Sequence, residues 1–452
     1  MNANWIKYIK ELEYKNKYYF YDGYSGRLFH SNKEENLIIK QIRYYYAIND
    51  SKNFNVFEKE KSDAISKLCA KINTAYDKDG LKKSLLEKGL EENANAGLNS
   101  LWINVAHTCN LACKYCFVNK GKYDNSGELM TLQVAEDKVE EWLINLDEKQ
   151  KVFNVIFFGG EPLLNLDVIK YIVHKVNMRM EELKSHCIYY LTTNGTIMNN
   201  KILELLDNND FVFSISIDGL DFIHNYNRIF LNGNGSYSKV MDNSKKLLEI
   251  QPKTIINMVV RKEAIPLISE SVQFLWEKGF KSIKVALSLE EEVVFSIEDI
   301  FEYRDQMEKL ANITYENILH GNDCVLENVI NVFTDLSKRS NCGNCALFMN
   351  RLSVVDPNGR KYKCYKEISE REQQEYSHVF IEECANCWAV ALCGEGCPLD
   401  HKLYTKDFYK RDKMLCISQK AVYDIALKLY IKFFECGSEQ LKRFFLWRHT
   451  NG

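Results

Sequence analysis

At 452 residues the chain exceeds one ordinary core, and two or three domains are the prior. It is 46% hydrophobic and 27% charged with a net charge of −3, the balance of a soluble globular protein, which gives no reason to expect nucleic acid or a membrane surface as partner. No run of about eighteen apolar residues exists to span a bilayer, and fifteen cysteines with no export signal point to a reducing cytoplasm rather than a disulfide framework.

Residues 1–95 hold no ligand motif. Residues 18–29 read as two strands about an Asp-Gly/Ser-Gly turn, residues 35–45 as a helix, and more helix is expected over 62–90. A linker follows at 93–97, where the residues are small and polar. A hairpin with helices offers a strand edge that could take up a peptide; a packing extension of the main domain explains the region equally well.

From 98 to 295 strand and helix alternate. Strands are expected at 101–105, 154–158, 188–192, 211–217, 254–260 and 282–287, with helices at 132–146, 166–183, 201–206, 238–250 and 265–278. This order predicts a parallel sheet under helices, a partial barrel of six units. The informative residues fall at strand C-terminal ends, where barrels place their chemistry. Cys109, Cys113 and Cys116 follow the first strand, and Gly159-Gly160-Glu161-Pro162 follows the second. Thr193-Asn194-Gly195-Thr196 closes the third, and Ser216-Ile217-Asp218-Gly219 the fourth, with Arg228 beyond it. Two glycines permit close backbone approach, Glu161 supplies an acceptor for an ammonium group, and Arg228 could bind a carboxylate.

Over 296–452 two helices are expected near 299–319 and 326–337, then a cysteine-rich stretch, then a helix from about 418. Cys342, Cys345, Cys364, Cys384, Cys387, Cys393, Cys397 and Cys416 lie here. Paired C-x2-C motifs can be zinc ribbons, but a lone C-x3-C-x2-C without a nearby fourth ligand has no use in a zinc site. His107, just upstream, reads as a strand-end residue. Three thiolates can hold three corners of a cubane and leave one iron open, while eight suffice to close two further cubanes. Cys69, Cys187, Cys324 and Cys436 have no partners in these patterns and read as buried small residues.

Together these motifs resemble a radical S-adenosylmethionine (SAM) enzyme over about 101–289. The C-terminal cysteines resemble a SPASM domain, whose pattern is C-x(9–15)-G-x4-C, C-x2-C-x5-C-x3-C and a last cysteine; Gly359 and Cys364 fit the first part. The resemblance implies a partial (β/α)6 TIM-like radical SAM barrel (98–295), a small N-terminal α+β, winged-helix-like module (1–95) for leader recognition, and a C-terminal region (296–452) of bridging helices and SPASM domain. It implies three [4Fe–4S] clusters and SAM. Cys109, Cys113 and Cys116 would hold the SAM-binding cluster. Gly159, Gly160, Glu161, Asn194, Ser216, Asp218 and Arg228 would surround SAM, with Tyr115 and Phe117 beside its adenine. Cys345, Cys364 and Cys397, with Cys342, would hold one auxiliary cluster, and Cys384, Cys387, Cys393 and Cys416 the other.

The implied activity is modification of a ribosomally made precursor peptide with a leader, fed electrons by a flavodoxin or ferredoxin. Thioether formation of the sactipeptide or ranthipeptide type is the first expectation; carbon–carbon crosslinking and epimerisation are alternatives. Anaerobic sulfatase maturation ranks lower, since those relatives usually carry an aspartate base after the G-x4-C cysteine and Tyr365 stands there. A non-catalytic iron–sulfur scaffold or electron carrier ranks last, because it needs no complete SAM constellation.

Overall fold

A computed structural model describes residues 3–23, 26–48, 51–72, 99–118, 123, 127–338, 345, 347, 352–369, 381, 383–437, 439, 442 and 445. The chain divides into two units, each discontinuous: residues 1–90, 329–344 and 378–452 in one, residues 91–328 and 345–377 in the other.

The second unit carries the parallel sheet. Strands β4 (Ser100–Ala106), β5 (Val152–Gly159), β6 (His186–Thr193), β7 (Phe211–Ser216), β8 (Ile255–Val260) and β9 (Ser282–Leu287) pair in sequence order, all parallel. All six expected strands form. β10 (Val325–Leu326) extends the β9 side, and β11 (Leu352–Val355) joins β4 in parallel with β12 (Lys361–Tyr362) antiparallel outside it. These three additions are too short to carry a periodic signal. Side chains alternate in burial along β5 to β9, while β4 is buried throughout from Ile103 to Ala106; Phe157, Leu191, Phe213, Ile256 and Ile283 are buried with them. The helices Leu132–Ile144, Leu166–Leu183, Asn200–Asp207, Tyr237–Ile250 and Ile268–Glu277 fall between the strands as expected. Each apolar strand residue so covered contributes about 1.5–3 kcal/mol.

The first unit is built on an antiparallel sheet, β1 (Ile9–Tyr14), β2 (Lys17–Asp22) and β3 (Arg27–Ser31), in the order β1-β2-β3. β2 and β3 match the two strands expected over 18–29; β1 is not among the expected strands, because its IKELEY is charged along its length. The β1–β2 turn is Lys15-Asn16, both at positive φ (47° and 61°), the geometry of a tight hairpin. Three helices follow: α1 (Lys33–Ala47), α2 (Ser51–Glu60) and α3 (Ser62–Ile72). Asn32 caps α1, accepting from the Glu35 backbone at 2.8 Å while the Glu35 carboxylate accepts from Asn32 N–H at 2.9 Å. Phe20 faces these helices with Ile38, Ile39, Ile42, Ile65 and Leu68. Leu12, Tyr19 and Tyr21 face the other way, onto Leu427 and Ile431 of the helix Lys413–Cys436. That helix starts five residues earlier than expected, which puts Cys416 in its first turn. The rest of the helix expected over 62–90, Ser25 of the turn, and the linker at 93–97 lie outside the described residues.

Candidate functional site

The C-terminal ends of β4 to β7 deliver the expected residues to one edge of the sheet. Cys109, Cys113 and Cys116 sit in the loop after β4. That loop is strapped to the segment after β7: Ala112 N–H donates to Ile229 O at 2.7 Å and Lys114 N–H to Asn227 O at 3.0 Å. Lys114 Nζ lies 3.2 Å from the centre of the Tyr226 ring, a cation–π clamp that neither motif announces. His107, at the end of the strand as expected, is buried and stacked on Tyr123 at 4.3 Å.

Gly159 adopts φ +151°, and a Cβ there would lie 2.5 Å from Ala106 O and 2.8 Å from Asn104 Oδ1. The glycine is required by the neighbouring strand. Gly160 N–H donates to Ala106 O at 2.8 Å and Glu161 N–H to Thr108 O at 2.9 Å, which locks this turn to the start of the cysteine loop. Glu161 is fully buried. Its Oε1 accepts from Thr193 Oγ1 at 2.7 Å and Leu163 N–H at 3.1 Å, and its Oε2 from Asn194 N–H at 2.7 Å. By count one acceptor site remains on Oε2. Burial pushes this carboxyl up to about 7, against the pull of its three donors. A bound cation would restore it to the carboxylate.

Asn194 reaches the cysteine loop directly. Its Nδ2 donates to Asn110 Oδ1 at 2.8 Å and approaches Cys109 Sγ at 3.6 Å; Asn110 Nδ2 in turn donates to Thr196 Oγ1 at 2.8 Å. Asn110 and Thr196 carry no role in the sequence reading, and their only signal is adjacency to motifs.

Asp218 is fully buried and accepts four hydrogen bonds: from Arg228 Nε at 3.0 Å, Val259 N–H at 3.2 Å, Tyr115 Oη at 2.5 Å and Asn227 Nδ2 at 3.3 Å. A carboxylate so enclosed needs its cation. Asp218 holds the guanidinium charge on Arg228 far into the alkaline range, although burial opposes it. Among the described residues the Arg228 side chain hydrogen-bonds only to Asp218, through Nε, so its two terminal amino groups can still take a planar carboxylate. Tyr115 stacks under this guanidinium at 5.3 Å. Phe117 is half exposed, and Ser216 pairs in register with Asn257 of β8.

The donor set suits a cluster. Burial, reinforced by the charge of Glu161, pushes the Cys109 thiol up to about 12, and burial raises Cys113 as well. Such thiols ionise when a cation compensates them. Among the described residues no three His, Cys, Asp or Glu side chains close on a single-ion centre; a cubane does not require it, since each thiolate takes a different iron.

A second thiol set lines one cavity of the other unit. Cys384, Cys387, Cys393 and Cys416 all face it, with Glu395, Arg411, Lys420 and Tyr423. This is the foursome that the family pattern groups, and Cys397 is not among the lining residues. A 3-10 turn carries Cys384, a short helix presents Cys393, and Asp412 caps the helix that bears Cys416. Burial, with Glu395 second, pushes Cys384 up to about 12. Arg411 Nε donates to Glu395 O at 2.6 Å, which fixes one wall.

Cys345 and Cys364 belong to the unit with the parallel sheet. Glu367 Oε2 accepts from Cys364 N–H at 2.8 Å, and Tyr365 stacks on Trp102 at 4.4 Å with an interplanar angle of 2°. Cys342 lies outside the described residues. Of the four remaining cysteines, Cys187 and Cys324 are buried as expected and Cys69 is half-buried. Cys436 is exposed, because it ends its helix on the outward side.

Residues 103–272 match the Radical SAM superfamily. An uncharacterized protein of Methanocaldococcus jannaschii, MJ0907, is 33% identical over 194 residues, covering 42% of this chain and 63% of that protein, so the chain spans less than two thirds of that relative. A cysteine-type anaerobic sulfatase-maturating enzyme of Clostridium novyi is 25% identical over 325 residues, 64% of this chain and 84% of that enzyme. Among solved structures, native anSMEcpe with bound AdoMet and Cp18Cys peptide superposes with a TM-score of 0.60 at 23% identity, covering 74% of this chain and 98% of that one. Streptococcus suis SuiB bound to S-adenosylmethionine covers 90% of this chain and 98% of its own, with a TM-score of 0.51 at 16% identity. At these identities the structures speak to fold.

Proposed function

We propose that this chain is a radical SAM enzyme, a reading supported by the match at residues 103–272, and that it modifies a ribosomally made peptide by joining a cysteine sulfur of that peptide to a carbon of another residue. When bound, the cluster at Cys109, Cys113 and Cys116 and SAM supply a 5′-deoxyadenosyl radical that removes a hydrogen atom from the substrate. Glu161 holds the SAM ammonium on its remaining lone pair, and the free amino groups of Arg228 hold the carboxylate. Tyr115 and Asn227 keep Asp218 in place, so that Arg228 keeps its direction.

The observation that carries the peptide-crosslinking reading is the cavity lined by Cys384, Cys387, Cys393 and Cys416. A thioether bond removes two hydrogen atoms from the peptide. One goes to deoxyadenosine. The other leaves as the thiol proton and an electron, so the reaction needs an electron acceptor, and four converging thiols are where this chain can hold one. An epimerisation needs a hydrogen donor instead. The three-stranded sheet of residues 9–31 supports a leader-binding role, because among the described residues β3 is an outer strand, and an outer strand's backbone groups can pair with an extended peptide.

Anaerobic sulfatase maturation is the second reading, favoured by the Clostridium novyi relative. Against it, Tyr365 occupies the position of the aspartate base and lies flat on Trp102, with a phenol in place of a carboxylate. Tandem mass spectrometry of a cysteine-bearing precursor co-expressed with the enzyme separates the outcomes. The expected product lacks two hydrogens per crosslink and no longer alkylates at that cysteine. Unchanged mass with deuterium uptake from heavy water means epimerisation, and loss of two hydrogens with every cysteine alkylatable means a carbon–carbon bond. A serine- or cysteine-derived aldehyde in a sulfatase peptide would establish the second reading.

A further inference from the structure

The face of β4–β9 opposite Ile103, Phe157, Leu191, Phe213, Ile256 and Ile283 carries a charge that the SAM-proximal chemistry does not use. On that face Lys284 of β9 is the only lysine, arginine or carboxylate within the six strands. It is exposed, between the buried Ile283 and Val285, and among the described residues its ammonium group has no ion pair or hydrogen bond. Its position is fixed by pairing: Lys284 lies opposite Asn257 of β8, and Asn257 opposite Ser216 of β7. With strands about 4.8 Å apart, Lys284 Cα stands about 10 Å from Ser216 Cα, in the same row. The side chain of Asn328 pins the strand, accepting from Val285 N–H at 2.8 Å and donating to Val285 O at 2.7 Å.

Two arginines at this edge already pair with carboxylates. Arg228 pairs with Asp218 and retains its amino groups for SAM; Arg261 Nε pairs with Glu290 at 2.9 Å. Across the same face, on β4 and β5, the surface is aromatic: Trp102 and Phe158 contact at 5.4 Å and both meet Tyr365. One side therefore offers an uncompensated ammonium and the other an apolar wall.

Building on the peptide reading above, we propose that Lys284 is a specificity-determining residue that binds a carboxylate of the substrate. The group it takes is an aspartate or glutamate side chain beside the residue that loses hydrogen, while the wall of Trp102, Phe158 and Tyr365 takes an apolar neighbour.

The probe is a displayed library of random decapeptides, selected for binding to cluster-loaded, SAM-bound protein. Wild type, Lys284→Arg, Lys284→Gln and Lys284→Glu are compared, so that binding elsewhere on the chain cancels. Peptides retained by wild type and Lys284→Arg should be enriched in acidic residues by about threefold to tenfold over those retained by Lys284→Gln, and the Lys284→Glu pool should shift to basic residues. The enrichment should fall with added salt. Circular dichroism checks that each variant is folded. Identical acidic content in all pools overturns the role of Lys284 and leaves the peptide reading standing. Weaker SAM binding by Lys284→Gln with unchanged pools assigns the lysine to SAM and also overturns it. A wild-type protein that retains no peptide above background overturns both.

Discussion

Asp218 shows how much of this site is invisible along the chain. Its motif is legible at the end of a strand, and so is Arg228 ten residues on. The bond from Tyr115 of the cysteine loop to Asp218 is not, because a contact spanning 103 residues leaves no local periodicity. The same neighbourhood buries His224, whose Nδ1 accepts from Asp218 N–H at 3.3 Å and whose Nε2 lies 3.0 Å from Ser236 Oγ. Burial, helped by Arg228, lowers this imidazole to about 3 from an ordinary 6.5. The unfolded chain therefore takes up a proton below pH 6.5 that the folded chain refuses until about pH 3. Stability from this group is full above 6.5 and is lost as pH falls through that window. Thermal melts from pH 7 to pH 4 should show a steeper loss for wild type than for His224→Asn, whose amide cannot titrate. Equal slopes would assign the acid sensitivity elsewhere.

Among elements, the six strands and five intervening helices of the parallel sheet were legible because each is long, periodic and bounded by turn residues. β1 and the helix Pro398–Thr405 were not: the first is charged along its length, and the second lies where cysteine spacing, not apolar period, orders the chain. The helix Lys413–Cys436 illustrates how such an element is set. Asp412 Oδ1 accepts from Leu415 N–H at 2.9 Å, and that cap fixes the turn that aims Cys416 into the cavity with Cys384, Cys387 and Cys393. On the proposed three-cluster ligand set, Cys416→Ala should leave the parallel sheet and SAM binding intact but remove about a third of the bound iron. Iron and sulfide analysis of anaerobically reconstituted protein measures it. Full iron content in the variant would remove Cys416 from the ligand set.

On the scale of the whole molecule, contacts group the two ends of the chain in one unit and residues 91–328 with 345–377 in the other. Sequence boundaries at 95 and 295 follow composition and could not reveal that grouping, since nothing in a linear pattern marks which distant segment covers an apolar face. Leu12, Tyr19 and Tyr21 pack on Leu427 and Ile431, and Lys10 Nζ pairs with Asp424 at 2.7 Å. On the proposed function, deleting residues 1–95 should therefore uncover the helix behind the second thiol set and cost that set the cluster proposed for it, while SAM cleavage driven by a chemical reductant persists. Hydrogen exchange over 384–436 is the readout; unchanged protection after deletion would show that the C-terminal segment folds without the sheet.

Gly23 adds a temporal consequence. A Cβ at this turn would lie 1.7 Å from Trp388 O, and Gly23 O accepts from Ala391 N–H at 3.2 Å. The ribosome thus releases β1 to β3 long before the segment they must meet. At about 5–20 residues per second, the hairpin waits for about 20–70 seconds with Tyr19 and Tyr21 uncovered. In the nascent protein the parallel sheet can fold first, and the hairpin, an apolar surface without its cover, is then a stretch that a chaperone can shield.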